Sequence, residues 1–404
     1  MSGPTRLERR NVGLLATCQA LMMTASTLIV ATSALVGLML ADNAALATLP
    51  FGLMWLATTL TSVPAALLMR RYGRRAGLMG GVAVAIAGGS LCTLAIFERR
   101  FELFCAGSML VGAFNAFGQQ YRFAAADAAG EAFRARAISL VIAGGVVAAI
   151  AGPNLARATR ELFPLDTFAG SYAAMIALYA LSFAVLVFID IPRSPRSSIA
   201  TVRITAEAFV MLMKRRRFLV AAASAMLGYG VMNLVMTTTP LAMLDCGFGF
   251  DSTAFVIQWH VLAMFVPSFF TGHLIERFGA LRIIMAGALL QLMCVLVNLQ
   301  GVSQWNFVAA LMLLGLGWNF LFVGGTSLLT TSYSGAEKAT AQGLNDFLVF
   351  GTVTLTALGS GALHHAFGWG ALNMVMVPFI VTAFCLGFWL NRRAGRNSRA
   401  AQPY

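Results

Sequence analysis

Long apolar runs constrain this chain more than any other feature of its sequence. Hydrophobic residues make up 59% of the 404 positions and charged residues only 11%, whereas soluble domains average about 25% charged residues. Because a helix rises about 1.5 Å per residue, about 20 apolar residues cross a bilayer. We therefore expect an all-α membrane protein with twelve transmembrane helices, formed by residues 11–41, 44–69, 76–97, 101–126, 136–156, 168–190, 218–243, 252–276, 281–299, 304–331, 339–362 and 368–390.

The positions of the basic residues predict how the chain is oriented in the bilayer. The formal net charge is +13, but Lys and Arg occur in short clusters between apolar runs, so we expect a lipid bilayer and no nucleic acid as partner. With the N-terminus inside, 23 of the 28 basic residues lie in inner segments and four in outer turns. The positive-inside rule then places both termini in the cytoplasm. The first run is too long for a cleavable signal peptide.

An internal repeat predicts two six-helix halves. The segment after the second run, Ala66-Leu-Leu-Met-Arg-Arg-Tyr-Gly-Arg-Arg75, is similar to Gly272-His-Leu-Ile-Glu-Arg-Phe-Gly-Ala-Leu-Arg282 after the eighth, at an offset of 206 residues. Duplicated halves with a midplane site between them are typical of secondary transporters. The predicted division is an N-terminal six-helix half at 1–190, a cytoplasmic linker at 191–217, a C-terminal six-helix half at 218–391 and a basic cytoplasmic tail at 392–404.

The repeated segments resemble the loop signature of the major facilitator superfamily, G-x-x-x-D-R-x-G-R-R. In the second copy Glu276 takes the acidic place, whereas in the first copy Arg70 stands where the acid is expected and Ala66 replaces the glycine. The resemblance implies that family's fold, two pseudo-symmetric six-helix bundles, but it does not imply a substrate. It also implies a conformational role for the loop residues Gly73, Arg74, Arg75, Gly272, Glu276, Arg277 and Gly279.

Two pairs of soft metal ligands flank the turn after the seventh run. Met232 and Met236 form one pair, and His260 and Met264 form the other; residues spaced i, i+4 lie on one face of a helix. The turn between them predicts antiparallel neighbouring helices, with all four side chains roughly 10–18 Å below the outer surface. Thioether and imidazole favour soft or borderline ions such as Cu(I). The alternative is that these methionines, among 21 in the chain, simply fill gaps in the core.

Within the superfamily, this combination of M-x-x-x-M and H-x-x-x-M resembles the CcoA-type copper importers of bacteria. Carried over by position, their metal-binding residues are Met232, Met236, His260 and Met264. The resemblance implies import of copper, as Cu(I), across the bacterial inner membrane by alternating access, for assembly of the cbb-type cytochrome oxidase. Copper is then the substrate, no prosthetic group is expected, and the partners are cytoplasmic or periplasmic copper carriers. We expect a monomer. No catalytic triad pattern occurs, so we do not expect an enzyme, and the sequence has no Walker A motif, which argues against an ATP-driven pump.

Other polar residues extend this hypothesis. Cys246, His364 and His365 fall near the outer surface and are candidate ligands for capturing the metal. Their ordinary alternatives are an inert loop thiol and solvated histidines. Asp346, Arg122 and Asp127 are candidates for proton coupling or gating. For Arg122 the alternative is an arginine that reaches the inner surface from a helix end, and for Asp346 it is a conformational hydrogen bond.

The same sequence features are compatible with two other functions. A proton-coupled exporter of a small organic compound would use Arg122 and Asp346, with the methionines merely lining an apolar cavity. A membrane copper sensor that does not transport would bind the ion and report it to a partner. Glycines in the tenth run (Gly315, Gly317, Gly324 and Gly325) predict close helix contacts, which suit sliding helices and ordinary membrane packing alike.

Overall fold

The computed structural model describes residues 5–130, 133, 137, 140–141, 143–191, 206–334 and 337–400. Across these ranges the regular structure is helical, and no strand is present. A short 3-10 helix, Ala44–Leu46, follows the first α-helix. The α-helices are α1 (Arg6–Leu40), α2 (Leu49–Tyr72), α3 (Arg74–Phe97), α4 (Phe101–Gly118), α5 (Tyr121–Ala128), α6 (Gly144–Thr159), α7 (Ala169–Val187), α8 (Ala206–Met213), α9 (Arg216–Asp245), α10 (Phe250–Phe265), α11 (Ser268–Phe278), α12 (Ala280–Gln300), α13 (Gln304–Thr330) and α14 (Lys338–Ala400).

The helices confirm an all-helical, multi-pass membrane architecture. Within the described ranges, nine helices are long and apolar enough to cross a membrane, or ten if α10 and α11, which bend by 43°, form one span. That number treats Thr340–Arg393 as one helix, although the backbone is non-helical at Gly368, where the predicted span 368–390 begins. The predicted span 136–156 includes several residues outside the described ranges. Twelve spans and cytoplasmic termini therefore stay predictions.

The described helices form two compact units. The first comprises residues 1–197, 247–258 and 357–362; within it, α1 packs on α6 and α7, while α4 packs on α2 and α3. The second comprises residues 198–246, 259–356 and 363–404, and there α13 packs on α9 and α12. Most of the predicted linker 191–217 lies outside the described residues, so the predicted boundaries at 190 and 218 stay a prediction.

Both copies of the repeat contain the same backbone turn. Gly73 separates α2 from α3 with φ of 93° and ψ of 159°, and Gly279 separates α11 from α12 with φ of 85° and ψ of 148°. A positive φ strains residues that carry a Cβ, so glycine is required there for a sharp turn without strain. This shared conformation gives the repeat a structural basis.

The helix pairs that follow these turns also meet through glycines. A Cβ added to Gly88 of α3 would lie 2.9 Å from the Gly107 carbonyl oxygen of α4. In the second unit, a Cβ on Gly287 of α12 would lie 2.8 Å from the Gly317 carbonyl oxygen of α13. Small residues allow such close backbone approach in membrane proteins. In both helix pairs, glycines therefore allow the two backbones to come close together.

A bidentate ion pair joins the start of α9 to the segment that follows α13. The Arg215 guanidinium donates to both Glu337 carboxylate oxygens, at 2.8 and 2.6 Å, and to the Ser332 carbonyl at 3.2 Å. The backbone N–H and the hydroxyl of Ser334 also donate to Glu337, at 3.0 and 2.8 Å. The hydrogen bonds from Arg215, followed by those from Ser334, lower the pKa of Glu337 to about 2.

We expect this carboxylate to make stability depend on pH in the acidic range. Because its pKa falls from 4.5 to about 2 on folding, the stabilisation is complete above pH 4.5 and is lost as the pH falls towards 2. In detergent at pH 7, the wild type should unfold at a higher temperature than Glu337→Gln. The difference between the two unfolding temperatures should shrink below pH 4.5. Glu98→Gln, at an exposed position, is the control. A wild-type advantage that is equal at pH 7 and pH 3 would contradict this assignment.

Candidate functional site

The histidine of α10 is fully buried, and one of its ring nitrogens has a lone pair that is free to bind a metal ion or accept a hydrogen bond. His260 has no exposed surface, and its Nδ1 lies 2.8 Å from the Leu311 carbonyl oxygen. A carbonyl only accepts hydrogen bonds, so Nδ1 carries the proton and the lone pair of the neutral ring is on Nε2. In the described part of the chain, Nε2 has no hydrogen-bond partner. A buried, unpartnered nitrogen is the form in which imidazole coordinates a metal.

The three methionines of the predicted site are also buried in the second unit. Met232 is 1% exposed, Met236 5% and Met264 7%. Met232 and Met236 lie one helical turn apart on α9, as His260 and Met264 do on α10, so each pair shares a helix face. Convergence of both pairs on one ion remains a prediction.

A polar cluster supports the break in the helix next to Met264. Pro267 lacks the N–H that would continue the helix, and α10 and α11 meet there at 43°. The Asn319 amide of α13 donates to the Met264 carbonyl at 2.8 Å and to the Ser268 hydroxyl at 2.7 Å. The Thr271 hydroxyl donates back to the Asn319 side chain at 2.7 Å. The cluster supplies a hydrogen-bond donor to the Met264 carbonyl at the break. It thereby fixes the end of α10, the helix that carries His260 and Met264.

A glycine lets α13 approach the backbone of the candidate ligands. A Cβ added to Gly315 would lie 2.6 Å from the His260 carbonyl oxygen and 3.1 Å from the Met264 amide nitrogen. Both are backbone atoms, so a Cβ there forces the two helices apart. Gly315 thus sets the distance between α13 and the backbone that holds His260 and Met264.

We expect Gly315→Ala to destabilise the protein and displace the histidine. Overpacking of this kind typically costs about 1–3 kcal/mol, and the shift would lengthen the hydrogen bond between His260 and Leu311. The matched control is Gly351→Ala in α14, where an added Cβ meets nothing within 4 Å and helix propensity favours alanine by about 1 kcal/mol. In detergent, Gly315→Ala should unfold at a lower temperature than the wild type, and Gly351→Ala at a higher one. Equal stability of the two variants would show that the close approach of α13 to α10 does not require glycine at position 315.

The residues predicted to capture metal are not gathered into a cluster. Among the described residues, no group of three or more His, Cys, Asp or Glu side chains could hold a metal ion. His364 is 8% exposed, and its Nε2 lies 2.8 Å from Asp245 Oδ2, whereas His365 is exposed. Cys246 is exposed; partial burial and neighbouring Asp245 raise the pKa of its thiol, which disfavours the thiolate that binds metals.

The residues predicted to couple protons are distributed over both units. Asp127 pairs with Arg74 rather than with Arg122: the Arg74 Nε donates to its carboxylate at 3.0 Å. The Arg122 guanidinium lies 4.8 Å from the centre of the Phe123 ring. In α14 the carboxylate of Asp346, which is exposed within its unit, accepts from the Asn345 amide at 3.3 Å. Arg74 of the loop motif is therefore the partner that sequence reasoning missed for Asp127.

The second loop copy provides a turn, not an acid–arginine pair, among the residues described. Gly272, Glu276 and Arg277 are exposed, and no salt bridge of Glu276 occurs in the described ranges. The Arg277 guanidinium lies 5.3 Å from the centre of the Phe278 ring. In the first copy, Arg75 is exposed. The glycines at 73 and 279, together with Arg74 through its pairing with Asp127, are thus the parts of the motif with a defined structural role.

An aromatic cluster in the second unit was missed from the sequence. The Trp318 ring stacks on Phe322, with centroids 5.2 Å apart and planes at 8°, and meets Tyr229 edge-on at 5.3 Å. Phe265 contacts Trp318 at 6.3 Å, and Phe350 contacts Tyr229 at 6.5 Å. Trp318 is 6% exposed, and its indole N–H has no partner in the described part. Such a cluster can stack against a flat organic ring.

Known proteins resemble the chain over nearly its whole length. Residues 15–267 and 252–403 match the family described as the Major Facilitator Superfamily. The chain is 40% identical over 372 residues to the riboflavin transporter RfnT of Brucella anthropi, covering 92% of this chain and 93% of that protein. It is 30% identical over 374 residues to YdeG of Bacillus subtilis, an uncharacterized MFS-type transporter, covering 87% and 86%.

Two solved transporter structures share the fold. The nucleoside transporter NupG superimposes with a TM-score of 0.71 at 13% identity, over 92% of this chain and 98% of that one. FucP in its outward conformation superimposes with a TM-score of 0.59 at 16% identity, over 94% and 98%. At such identities the similarity concerns the fold only.

Proposed function

The chain belongs to the major facilitator superfamily, and we propose that this multi-pass transporter imports copper, as Cu(I), across the bacterial inner membrane. The buried His260 is the observation that supports copper best. Its Nδ1–H is used by the Leu311 carbonyl at 2.8 Å, which leaves Nε2 without a partner in the described part of the chain. An unpaired polar atom inside a protein costs free energy, so a ligand is expected to pair with it.

The neighbouring donors determine which ligand suits this nitrogen. Met232, Met236 and Met264 are buried in the same unit and offer thioether sulfur, a soft and neutral donor. A carbonyl that holds the far nitrogen of a ligating histidine fixes the ring and makes it more basic, the usual arrangement around protein-bound metals. Imidazole with thioethers therefore favours Cu(I) over hard cations such as magnesium and calcium.

The proposed cycle moves the ion along the two helices. Met236 and His260 capture copper from the outer side, and Met232 with Met264 receive it near the midplane, after which rocking of the two halves releases it inward. A site made of few neutral ligands binds weakly enough to let the ion leave. Asp346 and Arg122 are the proposed residues for coupling to protons. We further propose that the protein acts as a monomer with both termini cytoplasmic, receives or delivers copper through carrier proteins, and supplies the cbb-type oxidase.

Riboflavin is the second candidate substrate. RfnT is a riboflavin transporter and is 40% identical to this chain, and the Trp318–Tyr229 aromatic cluster offers faces on which a flavin ring could stack. We favour copper because function depends on the site more than on overall similarity, and the site contains a buried, unpartnered imidazole. A flavin would use Trp318 and Tyr229 and would not require His260.

Uptake by proteoliposomes distinguishes the two substrates. The purified protein is reconstituted and offered radiolabelled Cu(I) or radiolabelled riboflavin, each with an excess of the other unlabelled and with or without a pH gradient. We expect saturable copper uptake that riboflavin does not inhibit. Saturable riboflavin uptake without copper uptake would replace copper by riboflavin, and uptake of neither would reject both candidates.

A further inference from the structure

The second unit contains a basic cavity whose described lining residues include none of the proposed copper ligands. Its volume is about 660 Å³, and it is formed where α9 and α12 begin and where α14 passes. Five arginines line it: Arg215, Arg216, Arg217, Arg282 and Arg393. No acidic residue is among the described residues of its lining. Such a cavity attracts an anion.

The described residues neutralise only part of this positive charge. Arg215 pairs with Glu337 at 2.6 Å. Arg216 and Arg393 lie 5.7 and 4.9 Å from the centre of the Trp389 ring, which retains their charge. Neither Arg217 nor Arg282 forms a salt bridge with any described carboxylate, and both are exposed. These two arginines are therefore available to bind a ligand.

Two helix N-termini add to the positive electrostatic potential of the cavity. Helix α9 starts at Arg216 and α12 starts at Ala280, and residues of both first turns line the cavity. The first N–H groups of a helix have no partner within it, and the helix dipole places partial positive charge there. Phosphate groups bind at helix N-termini for this reason. Two N-termini and two free arginines together offer more donors than a carboxylate can use, and a phosphate presents more acceptor oxygens to pair with them.

The surroundings point to a lipid as the source of the phosphate. Phe278, which lines the cavity, is 43% exposed, and Trp389, beneath two of the arginines, is 37% exposed. Tryptophan is enriched at the membrane–water interface, and Phe278 adds exposed apolar surface at the cavity. The arginines belong to the clusters that predict the cytoplasmic side, where anionic lipids attract basic pockets. We propose that this cavity binds the phosphate of an anionic phospholipid through Arg217 and Arg282, with the acyl chains beside Phe278.

Native mass spectrometry of the full chain in detergent tests this proposal. The protein is titrated with phosphatidylglycerol, with the zwitterionic lipid phosphatidylcholine, and with inorganic pyrophosphate as a soluble phosphate source. The double variant Arg217→Gln/Arg282→Gln is compared with Arg9→Gln/Arg71→Gln, which removes the same charge at exposed positions of the first unit. We expect the first variant to bind phosphatidylglycerol about 25-fold more weakly, since each basic residue contributes about fivefold.

The control variant should change that affinity by less than about twofold, because neither Arg9 nor Arg71 lines the cavity. Equal weakening in both variants, or none in either, would overturn the site. Phosphatidylcholine binding as tightly as phosphatidylglycerol would overturn the requirement for an anion. If pyrophosphate displaced the lipid at equal concentration, the proposal that the ligand is a lipid would be rejected, and the cavity would be assigned to a soluble phosphate.

Discussion

Replacing His260 with alanine is expected to abolish saturable copper uptake by proteoliposomes. The imidazole is the only candidate nitrogen ligand among the four motif residues, and its Nε2 has no other described partner. Losing even a residue that merely supports a metal ligand typically costs 10–100-fold in affinity, so loss of the ligand should reduce uptake at limiting copper by at least about 100-fold. Initial rates of radiolabelled copper uptake, normalised to reconstituted protein, are the measurement.

His273→Ala is the matched control, since it removes an exposed histidine of the adjoining helix α11. The control should transport at the wild-type rate. Thermal unfolding must show that both variants are folded, since the alanine leaves space in a packed region. Wild-type copper uptake by a folded His260→Ala protein would remove the histidine from the transport mechanism.

Met236→Leu is expected to raise the copper concentration needed for half-maximal uptake by roughly tenfold or more, in line with losses on altering metal sites. Leucine conserves the volume of methionine and usually costs less than about 1.5 kcal/mol in stability, so packing is kept while the thioether is removed. The measurement is the uptake rate as a function of free Cu(I). Met232→Leu and Met264→Leu should shift the curve in the same direction.

The control for the thioether is Met175→Leu in α7, a fully buried methionine of the first unit. It should leave the half-saturating concentration unchanged, because its sulfur only fills the core. Similar shifts in Met175→Leu and Met236→Leu would mean that packing, not coordination, explains the loss. An unchanged curve for Met236→Leu would exclude that sulfur as a ligand.

Much of the fold could be predicted from the sequence because membrane spans have a strong local signal. Apolar runs of sufficient length mark the helices, and Gly73 and Gly279 mark the turns of the repeat. The prediction was wrong in treating 252–276 as one unbroken helix, since the helix breaks between Phe265 and Ser268; that the bent pair forms a single span stays a prediction. Pro267 was the available local signal. The boundary of the linker depends on residues outside the described ranges and is still a prediction.

The candidate site could be predicted only where its residues are close in sequence. The spacings of Met232 with Met236 and of His260 with Met264 need nothing beyond helical periodicity. The supports of the site come from α13, about 50 residues away: the Leu311 carbonyl, Gly315 and Asn319. No local pattern connects these to His260, because such contacts depend on how the helices pack. The pairing of Asp127 with Arg74 was missed for the same reason.

X-ray absorption spectroscopy of the Cu(I)-loaded protein would show whether His260 and the methionines coordinate the transported ion. We predict a spectrum with one imidazole nitrogen and at least two sulfur ligands. The imidazole scattering should disappear in His260→Ala, and one sulfur contribution should be lost in Met236→Leu. Spectra identical in the wild type and both variants, or copper bound by thiolate alone, would exclude coordination of the ion by His260 and the methionines.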